Sequence, residues 1–264
     1  MKFPIGIQDF KKIREGGFVY VDKTALLYKL ANEGTIYFLS RPRRFGKSLL
    51  VSTLKYYFCG ERELFSGLAI DALEKDWNSY PIFHVDFNST NYTKSGDALS
   101  KLIKGTVEDW ERQYGYVGNE EFDYGKRFAE LLKHVHATTG KRCVVLVDEY
   151  DKPLLDVLDS GMVEQGGDGK EMLLEDINRE ILKGFYSAFK SADQDLRFVL
   201  LTGVTKFSQV SVFSGFNQPA DISMSTVYDA ICGITEEELE AVFHDEMMRW
   251  RRKWMCRKMR FGLC

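Results

Sequence analysis

The chain has 264 residues, with 44% hydrophobic and 28% charged residues and a net charge of −3, the profile of a soluble globular protein with room for one large α/β domain or two small ones. No run reaches 18 consecutive apolar residues, and the start "MKFPIGIQDFKKIREGG" lacks the apolar core of a secretion signal, so neither a membrane span nor an export signal is expected. The five cysteines, at 59, 143, 232, 256 and 264, are scattered without CxxC spacing. This argues against a zinc site or a disulfide framework and fits a cytoplasmic location.

In chain order, "TIYFL" (35–39) reads as a short strand buried on both faces. Residues 47–59 follow with helical spacing, Leu50, Leu54, Tyr57 and Phe58 falling on one side and Gly60 as the stop. "PIFHVDF" (81–87) reads as a second strand, and Ser95 is a candidate cap for a helix reaching Tyr114. That helix has Leu99, Leu102, Ile103, Val107 and Trp110 as its apolar stripe. A helix over roughly 123–137, a strand "CVVLV" (143–147), a glycine-rich acidic surface loop (159–171), a helix over 171–190 and a strand "RFVLLT" (197–202) complete the pattern. Strands separated by helices point to a parallel sheet covered on both faces.

The stretch "SRPRRFGKSL" (40–49) has the strand–loop–helix context of a phosphate-binding loop. Such a loop aims backbone N–H groups inward, its lysine reaches the outer phosphates, and the next hydroxyl holds magnesium. Gly46, Lys47 and Ser48 stand in the expected places, whereas Arg41 occupies the position of the first glycine and is followed by Pro42. Read alone, the segment is equally compatible with a surface turn bearing solvated arginines. The second half of a nucleotide site is supplied by "VVLVDEYDKP", in which Asp148 and Glu149 follow a buried strand. Asp148 is placed to hold magnesium and Glu149 to act as general base. The candidate site is therefore Arg43, Arg44, Phe45, Gly46, Lys47, Ser48 and Leu49 around the phosphates, with Ser48 and Asp148 on magnesium and Glu149 as the catalytic base. Thr202, at the tip of the last strand, is a candidate phosphate sensor, or a plain turn residue. His134 and His136 lie two apart on a helical stretch, poor spacing for a metal.

The segments "FVYVDKTALLYKL", "SRPRRFGKSLLVSTL", "VVLVDEYDKPLL", "FVLLTGVTKFSQVSVFSGFNQPADIS" and "CGITEEEL", in that order, resemble the AAA-ATPase-like family of bacterial proteins over residues 1 to about 245. The resemblance implies a three-layer α/β P-loop NTPase fold of the additional-strand type, with the Asp-Glu strand between the phosphate-loop strand and the others. It also implies ATP and Mg²⁺ as ligands, and an arginine-rich loop as the normal form. Members typically continue into a PD-(D/E)XK nuclease-like half, through which a nucleic-acid partner would enter; that half is expected to be missing from these 264 residues. Other readings of the same residues are a non-catalytic ATP switch and a small-molecule kinase. No oligomeric state follows.

After Met247 the composition changes. Residues 249–260, "RWRRKWMCRKMR", carry seven basic side chains and no acidic one, leaving −10 on the remainder of the chain (−3 less seven positive charges). A body so acidic is no general nucleic-acid surface. Thr235 and Glu238 have capping-box spacing for a helix that would run into this tail. The expected division is an ATPase-like domain over 1–244 and a poorly packed basic tail over 245–264. The tail reads as a polyanion- or membrane-binding patch, as an exposed helix end or, the favoured reading, as the product of a shifted reading frame. "MRWRRKWMC" (248–256) can be encoded so that starting one base earlier yields Asp-Ala-Met-Ala-Glu-Lys-Val-Asp-Val, a continuation of the preceding helix.

Overall fold

The computed structural model describes residues 1–165, 169, 171–206 and 219–260, with side chains described as far as Arg251. The first strand, β1 (Ile36–Ser40), is preceded by helices α1 (Phe10–Glu15) and α2 (Thr24–Glu33) and followed by α3 (Lys47–Phe58). A short helix α4 (Ala69–Leu73) leads to β2 (Ile82–Asp86), the long helices α5 (Ala98–Tyr114) and α6 (Tyr124–Thr139), and β3 (Cys143–Asp148). Then come α7 (Lys152–Leu155), strands β4 (Val163–Gln165) and β5 (Glu171–Leu173), helices α8 (Leu174–Tyr186) and α9 (Ala188–Ser191), and β6 (Leu196–Gly203). A two-residue strand β7 (Ala220–Asp221) and the helix α10 (Glu236–Arg260) complete the described chain.

Five strands form one sheet in the order β2-β3-β6-β1-β7, and every pairing in it is parallel. Side chains alternate across it, as the period of two requires. Phe38, Val145, Val147, Val199 and Leu201 face one core with residues of α5, α6, α8 and α9. Tyr37, Leu39, Val144, Leu146, Phe198 and Leu200 face the other with residues of α1–α4. The result is the expected three-layer α/β sandwich. Each large side chain fully buried in it contributes roughly 1.5–3 kcal/mol.

The strand order has the extra strand that the additional-strand type implies: β6 lies between the phosphate-loop strand β1 and the Asp-Glu strand β3, and β2 lies on the other side of β3. Other expectations are corrected. Ser95 does not cap α5. The N-cap is Asp97, and the Ser95 hydroxyl donates to Asp97 Oδ1 at 2.6 Å. The loop expected over 159–171, part of which lies outside the described residues, ends in an exposed antiparallel hairpin of β4 and β5. Residues 171–173 are consequently strand, and the helix begins at Leu174. Much of the quoted segment "FVLLTGVTKFSQVSVFSGFNQPADIS", namely 207–218, lies outside the described residues. The capping box at Thr235 forms reciprocally: Thr235 N–H donates to Glu238 Oε2 at 2.8 Å and Glu238 N–H to Thr235 Oγ1 at 3.2 Å. The helix it starts continues through the expected boundary at 244 to Arg260. Among the described residues no helix is long and apolar enough to cross a membrane.

Candidate nucleotide site

The carboxyl ends of the strands share one edge. Registers pair Ser40 with Gly203, Val147 with Leu201, and Asp86 with Asp148. The backbone after Ser40 turns sharply into α3. Gly46 (φ 87°) is in the left-handed region that glycine enters freely, and so is Arg44 (φ 68°). Arg41 is not among the positive-φ residues, which removes the need for glycine at that position. Its side chain is used instead as a strut. The guanidinium donates to the Ser223 carbonyl and, at 3.3 Å, to that of Ser40, while its own N–H donates to Gly203 O at 3.1 Å. Ser223 in turn accepts the Ser40 N–H on Oγ at 2.8 Å.

Helix α3 starts at Lys47, and its first intrahelical bond is Leu50 N–H to Gly46 O at 3.0 Å. The amides of Lys47, Ser48 and Leu49 therefore have no intrahelical acceptor and lie at the positive end of the helix dipole. Arg43, Arg44 and Phe45 are exposed on the loop before them. The Lys47 side chain is 3% exposed and folds back over the loop. Its Nζ donates to the carbonyls of Arg41 (3.1 Å) and Pro42 (3.4 Å) and lies 3.2 Å from Glu149 Oε1. The phosphate-loop lysine and the acid after β3, 102 positions apart in the chain, thus meet in one ion pair.

Glu149 has φ 55°, an unfavourable region for a glutamate. Burial pushes its carboxyl above the usual range, and Lys47 opposes that rise. Asp148 is buried, and its Oδ1 accepts the Thr202 hydroxyl at 2.5 Å. Thr202 is 0% exposed and also lies 3.4 Å from Val147 O, so its hydroxyl is directed at Asp148. The Ser48 hydroxyl has no hydrogen bond among the described residues. Asp86, on the far side of Asp148, has its carboxyl pushed up by burial first and by Asp148 as well. Among the described residues no three His, Cys, Asp or Glu side chains cluster as a metal-binding group. The edge offers instead a carboxylate oxygen and a hydroxyl, the hard donors that magnesium takes when phosphates and water complete its shell. His134 and His136 lie on α6, away from this edge, and His136 Nδ1 is 2.7 Å from Asp195.

A cavity of about 350 Å³, mostly apolar, opens beside Gly46. Its walls are the N-terminal segment (Phe3, Tyr20), the outer face of α3 (Leu49, Thr53) and the start of α10 with its preceding turn (Cys232, Phe243). Phe3 stacks on Phe243 with ring centroids 6.0 Å apart, and Lys23 pairs with Glu238 across the same wall. Sequence reasoning missed this cavity. The segments that build it, "FVYVDK" and "CGITEEEL", stand out in the sequence but carry no local sign that they meet. It missed as well the roles of Arg41 and Ser223, which act across 182 positions.

A parallel sheet with an extra strand between the phosphate-loop strand and the acidic strand, a loop-to-helix turn at Gly46-Lys47-Ser48 and an ion pair joining the two define a P-loop NTPase of the α/β class. The family model described as "AAA-ATPase_like: Predicted AAA-ATPase" matches residues 4–213. The chain belongs to this AAA-ATPase-like family. It is also 42% identical over 251 residues to an uncharacterized protein encoded in the vnfD 5′ region of Azotobacter chroococcum mcd 1. The match takes in 93% of this chain and 45% of that protein, so the chain spans about half the relative's length. No solved structure matches.

Proposed function

We propose that the chain binds ATP with magnesium and hydrolyses it to ADP and phosphate. The observation that carries this reading is the Lys47–Glu149 pair at 3.2 Å, which brings the phosphate loop and the acidic strand end to one point. The phosphates lie against the amides of Lys47, Ser48 and Leu49. Arg43 and Arg44, exposed on the loop, close on the outer oxygens. Lys47 exchanges its carbonyl partners for the β- and γ-phosphates. Ser48 and Asp148 hold magnesium, Asp148 being oriented by Thr202, and the ion when bound neutralises charge on the phosphate oxygens. Glu149, released from Lys47, takes a proton from a water molecule as its oxygen attacks the γ-phosphorus. The bond from that phosphorus to the bridging oxygen breaks, and ADP leaves with the electron pair. The purine occupies the apolar cavity beside Gly46. The test is phosphate release measured alongside nucleotide affinity. ATP binding without release would make the chain a switch, and label transferred from γ-³²P-ATP to a small acceptor would make it a kinase.

The acid limb of the kcat/KM profile, which reports groups of the free protein, is expected to lie above the ordinary glutamate range of about 4.3. Burial raises the Glu149 carboxyl there, and Lys47 opposes the rise without cancelling it. The base is therefore lost to protonation on the acid side, at a higher pH than for an exposed carboxyl. A kcat/KM that stays flat down to about the ordinary glutamate value in a protein that remains folded would contradict this.

Removal of residues 245–264 is proposed to leave ATP affinity and the thermal midpoint nearly unchanged. The capping box and the Phe3–Phe243 contact lie before the cut. One of the contacts it removes, between the N-terminus and Glu246, is 3.9 Å long and partly exposed, worth little. Low-salt binding to DNA should disappear with the basic run. A large fall in the melting temperature would show that the tail is an integral part of the domain.

A further inference from the structure

The left-handed backbone of Glu149 requires something to hold it, because a glutamate does not stay there unaided. Besides the turn bond from Lys152 N–H to Glu149 O at 3.0 Å, bonds on both sides of it run to the end of β6. Before it, Asp148 Oδ1 receives the Thr202 hydroxyl. After it, the Tyr150 N–H donates to Thr202 O at 2.9 Å and the Tyr150 hydroxyl to Thr205 O at 3.0 Å. The Asp151 carboxylate is 0% exposed, and its Oδ2 accepts three bonds, from Val204 N–H (3.0 Å), Thr205 N–H (2.7 Å) and the Thr205 hydroxyl (2.9 Å). Its Oδ1 has no partner among the described residues. There is no room at this junction for adjustment: a Cβ on Gly203 would stand 2.5 Å from the Tyr150 ring and 2.8 Å from Asp151 Oδ1. The anchored segment is itself tied to the phosphate-loop strand, since Ser40 Oγ donates to Val204 O at 3.0 Å.

We propose that Asp151 is a positioning residue for hydrolysis: by gripping residues 204 and 205 it holds the 148–151 turn, and so Glu149, in the geometry from which the base can act. This rests on the reading of Glu149 as the base. None of the Asp151 side-chain bonds goes to Lys47 or to the loop that takes the phosphates. Its loss should therefore act on turnover and not on nucleotide affinity.

The test compares Asp151→Ala, Asp151→Asn and Thr205→Val with the parent. Asp151→Ala is expected to lower kcat by at least about tenfold, since a shift of about 1 Å can cost about 10²-fold. KM and the Kd of a non-hydrolysable ATP analogue should stay within about twofold of the parent. The asparagine retains an acceptor for the 204 and 205 donors and should restore most of the turnover. Thr205→Val removes one of the three bonds and should fall between. A second arm needs no turnover: hydrogen exchange in peptides 148–152 and 202–206 should accelerate in Asp151→Ala and stay slow in Asp151→Asn. Should the alanine variant fail to fold, Thr205→Val carries both arms, with slower turnover and faster exchange at 202–206. The proposal falls if nucleotide affinity drops in step with kcat, if asparagine fails to rescue, or if exchange over 148–152 is the same in Asp151→Ala as in the parent. A parent that binds ATP without hydrolysing it would instead remove the base from Glu149, leaving the exchange result to decide whether Asp151 holds the turn.

Discussion

Lys47→Ala is expected to abolish tight ATP binding. Lys47 Nζ is the cation that the start of α3 brings into the site, held by the carbonyls of Arg41 and Pro42 and by Glu149. Its contacts with the β- and γ-phosphates are charge-assisted, worth roughly 1.5–3 kcal/mol each. Losing even one such contact weakens Kd by about tenfold or more, and losing two by about 10²-fold or more. The substitution also leaves the half-buried Glu149 carboxyl without its counter-charge, which shifts the empty site toward the protonated acid. Calorimetric or fluorescence titration with ATP and magnesium checks this, with circular dichroism showing that the variant is folded. Equal affinity in variant and parent would remove this loop from the site.

Glu149→Gln is expected to leave ATP binding intact and to slow phosphate release by about 10²–10⁴-fold, the contribution typical of a positioned base. The amide has the size of the carboxyl and no capacity to accept the proton of the attacking water. The backbone at 149 is held by the bonds of Tyr150 and Asp151, not by the Glu149 side chain, and should keep its left-handed conformation in the variant. The free parent holds the ion pair to Lys47 and the variant does not, so any change in ATP affinity is expected toward tighter binding. Single-turnover phosphate release is the measurement. Release at the parent rate would reduce Glu149 to a neighbour of the magnesium site. These two substitutions separate the halves of the site, one acting on binding and the other on chemistry.

The arrangement also gives a role to the pair itself. In the free protein Lys47 and Glu149 neutralise each other inside a site from which water is largely excluded, at 3% and 18% exposure. An unpaired ion there would be costly. ATP brings the charge that replaces Glu149 as the partner of Lys47, so arrival of the substrate and release of the base are one event in the proposed mechanism.

The residues whose signals are local could be read from the chain alone. Apolar runs of four or five residues marked β1, β3 and β6, and "PIFHVDF" marked β2; the 3.6-residue stripe marked α3 and α5; and Thr235 with Glu238 marked the start of α10. Gly46-Lys47-Ser48 and Asp148-Glu149 were legible for the same reason, each being a short pattern attached to the end of a strand. What the chain could not show by itself depends on segments far apart in sequence. The sheet order places β6 between β1 and β3, and so puts Thr202 beside Asp148. Arg41 looked like a glycine replaced, and only the arrival of Ser223 makes it a strut, the left-handed turn having moved to Arg44. Asp151 carries no signal of its own in "VVLVDEYDKP", and its part appears only where Val204 and Thr205 fold onto it. The hairpin of β4 and β5 was hidden because both strands are exposed and lack the alternation that burial imposes. Periodicity and capping are properties of neighbours in sequence, whereas strand order, cavity walls and the partners of buried charges are set by which surfaces pack together, and packing is decided over the whole chain at once.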